Sequence, residues 1–166
     1  MKYNPGSTAL VRVMTGLERP VFQKFFMCLK PVLDGFLAGC RPIIGLDGCH
    51  LTGAHPGICL TAVGKDGNNN VYPLAWAVVD VEEYQSWAWF LTHLKDVLGS
   101  NTGNGFTFMS DRQKGLIKAL EDIVPDASSR YCWRHLWSNF KQKWNGEAYK
   151  FVLWAAAKAT TQVLFC

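Results

Sequence analysis

The sequence predicts an α/β fold, a mixed five-stranded sheet flanked by helices. Three observations predict it. Short apolar, strand-like runs follow one another between residues 43 and 79, and the last two are joined by a Lys65-Asp66-Gly67-Asn68-Asn69-Asn70 turn cluster. Downstream, segments of helical and strand-like pattern alternate. The chain has 166 residues, 49% hydrophobic and 18% charged, one ordinary domain's worth with enough apolar side chains for a sizeable core. Strands in hairpin succession followed by helix–strand alternation make a mixed sheet with helices against it.

The elements follow in order. Met1 to Leu17 is rich in small and turn residues and predicts a loosely held lead-in. From Arg19 to Leu37, Val21, Phe22, Phe25, Phe26 and Leu29 recur at roughly helical spacing, which predicts a short helix interrupted at Pro31. Ile43, Ile44 and Leu46 form a buried strand after Pro42, closed by Asp47 and Gly48. Ile58 to Val63 and Val71 to Val79 are the hairpin strands. Tyr84 to Leu98 carries Trp87, Phe90, Leu91 and Leu94 at helical spacing, and Gly99 stops it. Phe106 to Met109 is a fourth strand. Gln113 to Val124 is a helix with Leu116, Ile117, Leu120 and Ile123 on one face, ended by Pro125. Ser128 to Trp133 supplies the fifth strand, and His135 to Trp144 and Glu147 to Leu164 read as helices.

Several classes are excluded at once. No apolar run approaches the ~20 residues of a bilayer span, so no membrane partner is expected. Met1 to Pro20 lacks a basic start with an apolar stretch behind it, which argues against secretion. Cys28, Cys40, Cys49, Cys59, Cys132 and Cys166 show no paired spacing and are expected to be reduced thiols of an intracellular protein. Walker A, dinucleotide and serine-elbow motifs are absent from the sequence.

The net charge of +4 is modest, but its distribution is uneven. Arg130, Arg134, Lys141, Lys143 and Lys150 face one acid, Glu147, between Ala127 and Lys150, whereas Asp80, Glu82, Glu83 and Asp96 outweigh Lys95. A basic stretch interleaved with Trp133, Trp137 and Trp144 suits phosphate contact and base stacking. Solvated helix faces and core packing of the rings, for at least two of the three, account for the same residues.

Two aspartates occupy equivalent places, Asp47 at the end of the first core strand and Asp111 at the end of the fourth. If those strands are parallel neighbours, both carboxylates leave the sheet at one edge, where a hard divalent ion, Mg²⁺ or Mn²⁺, can bridge them. Such ions activate water and stabilise a leaving oxygen in phosphodiester cleavage. Equally, each aspartate can serve a turn or, for Asp111, cap the next helix. Cys132 and His135 form a Cys-x-x-His pair, with no second pair at zinc-finger spacing.

Together these segments resemble the MULE (Mutator-like element) transposase domain of plants. The residues are Gly39-Cys40-Arg41-Pro42-Ile43-Ile44-Gly45-Leu46-Asp47-Gly48-Cys49-His50-Leu51, the hairpin Leu60 to Asn69, Phe108-Met109-Ser110-Asp111-Arg112-Gln113, and Tyr131-Cys132-Trp133-Arg134-His135-Leu136 with Asn139-Phe140-Lys141. The similarity runs from about Phe25 to Thr161. It implies an RNase H-like fold and DDE-type chemistry, in which Asp47 and Asp111 match the first two acids holding Mg²⁺ (or Mn²⁺). One transposon strand is hydrolysed, and the freed 3′-hydroxyl then attacks target DNA. Cys132 and His135 match a motif that helps to hold the DNA end, and the basic stretch, read by itself, adds Arg134, Lys141 and Lys143 as candidate DNA contacts.

The resemblance divides the chain into a partly helical flank over 1–38, an RNase H-like core over 39–145, and the start of a helical insertion over 146–166. The family's third acid, a glutamate, lies beyond that insertion. Glu147 is the only acid after Asp126 and comes too soon to match, so the chain reads as truncated before the last catalytic helix. The implied partners are transposon terminal repeats and target DNA, with a homo-oligomer allowed, and the implied location is the nucleus. Two further functions share the sequence. One is a domesticated, DNA-binding transcription regulator without catalysis, and the other is a non-functional remnant.

Overall fold

The computed structural model describes residues 3–16, 18–54 and 56–159. His55, Cys166 and the end of the expected last helix up to Leu164 lie outside the described residues. The chain forms two compact units, divided between Arg130 and Tyr131.

The first unit is built on a mixed sheet of seven strands rather than five, in the order β1-β2-β5-β4-β3-β6-β7. β3 (Ile43–Leu51), β4 (Gly57–Lys65) and β5 (Val71–Val79) form the antiparallel meander that the apolar runs predict. β6 (Thr107–Ser110) lies parallel to β3, and β7 (Ser128–Tyr131) follows it at the edge. The two additional strands, β1 (Thr8–Met14) and β2 (Val21–Cys28), pair with each other and extend the sheet from β5.

Those two strands correct the reading of the first forty residues. The lead-in contains β1, and the segment expected to start a helix at Arg19 is β2 from Val21. Val21, Phe22, Phe25 and Phe26 do lie at helical intervals, but β-branched and aromatic side chains favour a pleated surface, and the open edge of β5 supplies the pairing partner. Phe26 and Cys28, two apart, are the buried residues of β2. The helix comes later, as α1 (Lys30–Gly39), and Pro31 stands in its first turn. There the missing N–H costs no bond, so the proline starts this helix instead of interrupting it.

α2 (Tyr84–Val97) and α3 (Lys114–Ile123) follow β5 and β6. Trp87, Phe90, Leu91 and Leu94 of α2 and Leu116 of α3 are fully buried, as are Phe26, Ile44, Leu60, Leu74 and Phe108 of the strands. Each such side chain contributes about 1.5–3 kcal/mol by leaving water. Along β4 the alternation is strict: Ile58, Leu60, Ala62 and Gly64 are buried, whereas Cys59, Thr61 and Val63 are only half-buried. α1 comes so close to the sheet that a Cβ on Gly64 would stand 2.6 Å from the Phe36 ring. The β4–β5 turn is held by Asp66, whose Oδ1 accepts from the N–H groups of Asn68 and Asn70 at 2.9 and 2.8 Å.

The second unit contains α4 (Trp133–Phe140) and α5 (Glu147–Lys158), with no fully buried residue in either helix. Aromatic rings hold it together. Trp133 lies 4.7 Å from Trp154, Phe140 6.4 Å from Tyr149, and Trp144 6.0 Å from Tyr149, between ring centroids. No helix among the described residues is long and apolar enough to cross a membrane.

Candidate active site

The parallel pairing of β3 with β6 matches Ile43 to Thr107, Ile44 to Phe108 and Gly45 to Met109. Carried on by two residues, this register points Asp47 toward Asp111, which lies one residue past the end of β6. The sheet thus brings together the two aspartates that the sequence singles out. Asp47 does not end its strand, however. β3 continues to Leu51 because β4 keeps pairing with it as far as Leu51 against Gly57. The partner on the other side stops at Ser110. Beyond that point β3 has β4 on one flank only, and the Asp47 carboxylate, an exposed residue, stands where the sheet opens.

Local hydrogen bonds orient both acids. Asp47 Oδ1 accepts from the Gly48 N–H at 3.0 Å, and its carbonyl accepts from Thr61 Oγ1 at 3.1 Å. Asp111 Oδ1 accepts from the Gln113 N–H at 3.0 Å. Asp111 is therefore not the helix cap. Gln113 caps α3, its side-chain oxygen accepting from the Leu116 N–H at 2.5 Å. Moving the cap two residues along leaves the aspartate in the turn ahead of the helix.

A third carboxylate was not singled out by the sequence. Glu82 lies in the turn between β5 and α2, and its Oε1 accepts from the buried Trp87 Nε1 at 3.2 Å. Its backbone carbonyl accepts from Gln113 Nε2 at 3.2 Å, which ties this turn to the start of α3. Burial pushes the Glu82 carboxyl above its ordinary value of 4.5. The Trp87 hydrogen bond and the His50 ring work against that, while the charges of Asp111 and Asp47 add to it. The Glu82 carboxyl therefore lies in the field of both aspartates. The available signal is topological: β3, β5 and β6 all run in the same direction, with Asp47 within β3 and Glu82 and Asp111 after the ends of β5 and β6. In the sequence, Glu82 counts only as part of an acidic stretch.

The three do not form a ready cage. Side chains alternate along a strand, so Asp47 and Gly48 face opposite sides of the sheet, and the Glu82 carboxyl lies against Gly48. Among the described residues no group of three or more His, Cys, Asp or Glu side chains is gathered closely enough to hold a metal ion. Beside Glu82 opens a cavity of about 410 Å³, lined by His50, Leu51, Ile58 and Asp80 among others.

The remaining candidates belong to the second unit. Cys132 is the N-cap of α4, its carbonyl accepting from the Leu136 N–H at 3.0 Å, and His135 lies in the first helical turn. Both are half-buried. Arg134, Lys141 and Lys143 are exposed, and the Lys143 ammonium stands 5.4 Å from the Trp144 ring centroid. Core packing does not absorb the tryptophans of this region as expected: Trp144 is exposed, and Trp133 and Trp137 are half-buried. Two short helices offer too little apolar surface to close over them. Glu147 opens α5 and pairs with Lys150 at 3.5 Å.

Residues 43–139, more than half of the chain, match the family model described as the MULE transposase domain. No curated protein matches the chain.

Proposed function

The chain belongs to the MULE transposase family, and on that premise we propose that its carboxylate edge is the catalytic core of a DDE-type DNA transposase using Mg²⁺ or Mn²⁺. The observation that carries this reading is the parallel register that points Asp47 of β3 toward Asp111 after β6. The order of the last five strands, β5-β4-β3-β6-β7, supports an RNase H-like arrangement for residues 39–145.

The residues fit a hard divalent ion. Asp47 and Asp111 present oxygen donors from neighbouring strands, and the field of both charges reaches Glu82. Negative charge gathered in this way favours a cation between the groups. A bound ion of this kind supplies Lewis acidity for phosphodiester cleavage and strand transfer. Asp47 and Asp111 would act as its ligands. The bonds from Gly48, Thr61 and Gln113 hold the two acids on rigid backbone. Glu82 is not gathered with them into a three-acid site, and the resemblance assigns the third acid to a glutamate further downstream.

DNA, as transposon ends and target, is the proposed substrate, and the nucleus the proposed location. Arg134, Lys141 and Lys143 supply phosphate contacts, with Cys132 and His135 positioning the strand end at the start of α4. A homo-oligomer would bring two transposon ends together.

Mn²⁺ titration of the full chain and of Asp47→Ala and Asp111→Asn tests the metal site. Each substitution is expected to weaken binding at least tenfold. Equal affinity in all three proteins would remove this reading. A DNA-binding regulator is the second reading, favoured by the exposed cations after Arg130. It predicts DNA binding that survives in both variants and needs no divalent ion.

A further inference from the structure

Cys49 of β3 and Cys59 of β4 are direct partners in the antiparallel register. Directly opposed residues of such a pair have Cα atoms about 4.5–5.5 Å apart, and a disulfide is compatible with Cα separations of about 4.4–6.8 Å. The two side chains are near neighbours, since Cys49 adds to burial in pushing the Cys59 thiol up. Joining their sulfurs therefore requires side-chain rotation and little backbone movement.

Access differs between the two. Cys49 is exposed, whereas Cys59 is half-buried. The other described cysteines lack this arrangement. Cys28 is buried in the core with its thiol pushed up to about 11, Cys40 caps the end of α1, and Cys132 caps α4. None of them has a cysteine as its strand partner in the registers of β1 to β6.

We propose that Cys49 and Cys59 form a reversible dithiol–disulfide site whose oxidant is a low-molecular-weight disulfide. The exposed Cys49 thiol loses its proton to solvent, and its sulfur attacks one sulfur of the reagent. The reagent's S–S bond breaks, and the first half leaves as a thiol after taking up a proton. Cys59 then loses its proton, and its sulfur attacks Cys49. This expels the second half as a thiolate, which is protonated in turn. Two electrons pass from the cysteine sulfurs to the reagent, so one disulfide is exchanged for another. The new bond would cross-link β3 to β4 two residues beyond Asp47, on the sheet face that Asp47 shares with Cys49. This site stands apart from the transposase reading and does not depend on metal or DNA.

Incubating the folded full chain with oxidised glutathione, then mapping peptides by mass spectrometry without reduction, tests the proposal. The expected product is a single intramolecular link between Cys49 and Cys59, lighter than the reduced chain by two hydrogens and reversed by dithiothreitol. Cys59→Ser should stop at a glutathione adduct on Cys49. The same oxidation in urea should give scrambled pairs, which would show that the fold directs the link. A stable adduct on Cys49 of the unaltered chain, a link through a different cysteine, or no loss of thiols at either position would each overturn the proposal.

Discussion

Gly48 leaves open the space that the Glu82 carboxyl occupies. A Cβ on Gly48 would stand 2.9 Å from both the Glu82 carboxyl carbon and its Oε2, closer than real Cβ contacts come. The atoms in the way are the end of a side chain that can swing toward solvent, so the fold can relieve the clash cheaply. Gly48→Ala is therefore expected to change stability by about 1 kcal/mol or less, within the range of mild substitutions. Glu82 should lose its bond to Trp87 Nε1. Indole fluorescence and Mn²⁺ affinity measured beside a thermal melt check this. An unchanged melt with a shifted Trp87 signal and weaker metal binding is the expected combination.

Removing the Glu82 charge should stabilise the metal-free protein at neutral pH. Its pKa is raised above 4.5, first by burial, with the charges of Asp111 and Asp47 adding to it. The folded state consequently binds this proton more tightly than the unfolded chain does. Well below 4.5 both states are protonated and the group costs nothing. As pH rises through the folded pKa, ionisation penalises the folded state, and the penalty stays in place above it. Glu82→Gln should match the unaltered chain in thermal midpoint near pH 3.5 and exceed it at pH 7 in the presence of chelator. Added Mn²⁺ should narrow that difference, because a ligand that binds the folded state raises its stability. A lower midpoint for the variant at pH 7 without metal would contradict the assigned electrostatics.

What the sequence reveals and what it hides follow the physical range of each signal. The β3–β4–β5 meander and α2 are legible because alternation, the Asp66-to-Asn70 turn and the apolar spacing of Trp87 to Leu94 are local patterns. Asp47 and Asp111 can be paired on paper because β3 and β6 have similar apolar runs ahead of each acid. β1 and β2 are hidden: β1 pairs with β2, β2 finds its other partner in β5 some fifty residues away, and the spacing of Val21 to Phe26 fits a helix as well. Glu82 is hidden for a similar reason. Nothing near it in sequence shows that β5 ends at the same edge of the sheet as β3 and β6.

Gly64 offers the opposite case to Gly48. A Cβ there would lie 2.6 Å from Phe36 Cε2 and 2.7 Å from Cδ2, and Phe36 is fully buried in the core. That ring has no route to solvent, so α1 itself must move. Gly64→Ala is expected to cost about 1–3 kcal/mol, as overpacking of a filled core does. Urea denaturation checks the value, and pairing the change with Phe36→Leu should recover part of it. Additive losses in the double variant would show that the two positions do not touch.

The cations of the second unit give a prediction that separates phosphate contact from a merely solvated surface. Arg134, Lys141 and Lys143 are exposed, and none of them forms an ion pair with an acid among the described residues, whereas Lys150 pairs with Glu147. Each phosphate neutralised on duplex DNA steepens the fall of log K against log salt by about 0.9 through counterion release. If all three residues bind phosphate, replacing them together with glutamine should reduce the slope by about 2–3 and weaken binding most at low salt. Stability should change little, because exposed charges contribute little to the fold. Fluorescence anisotropy of labelled duplex across a salt series reads both the slope and the affinity. An unchanged slope would place the phosphate contacts on other residues and leave Arg134, Lys141 and Lys143 as solvated surface.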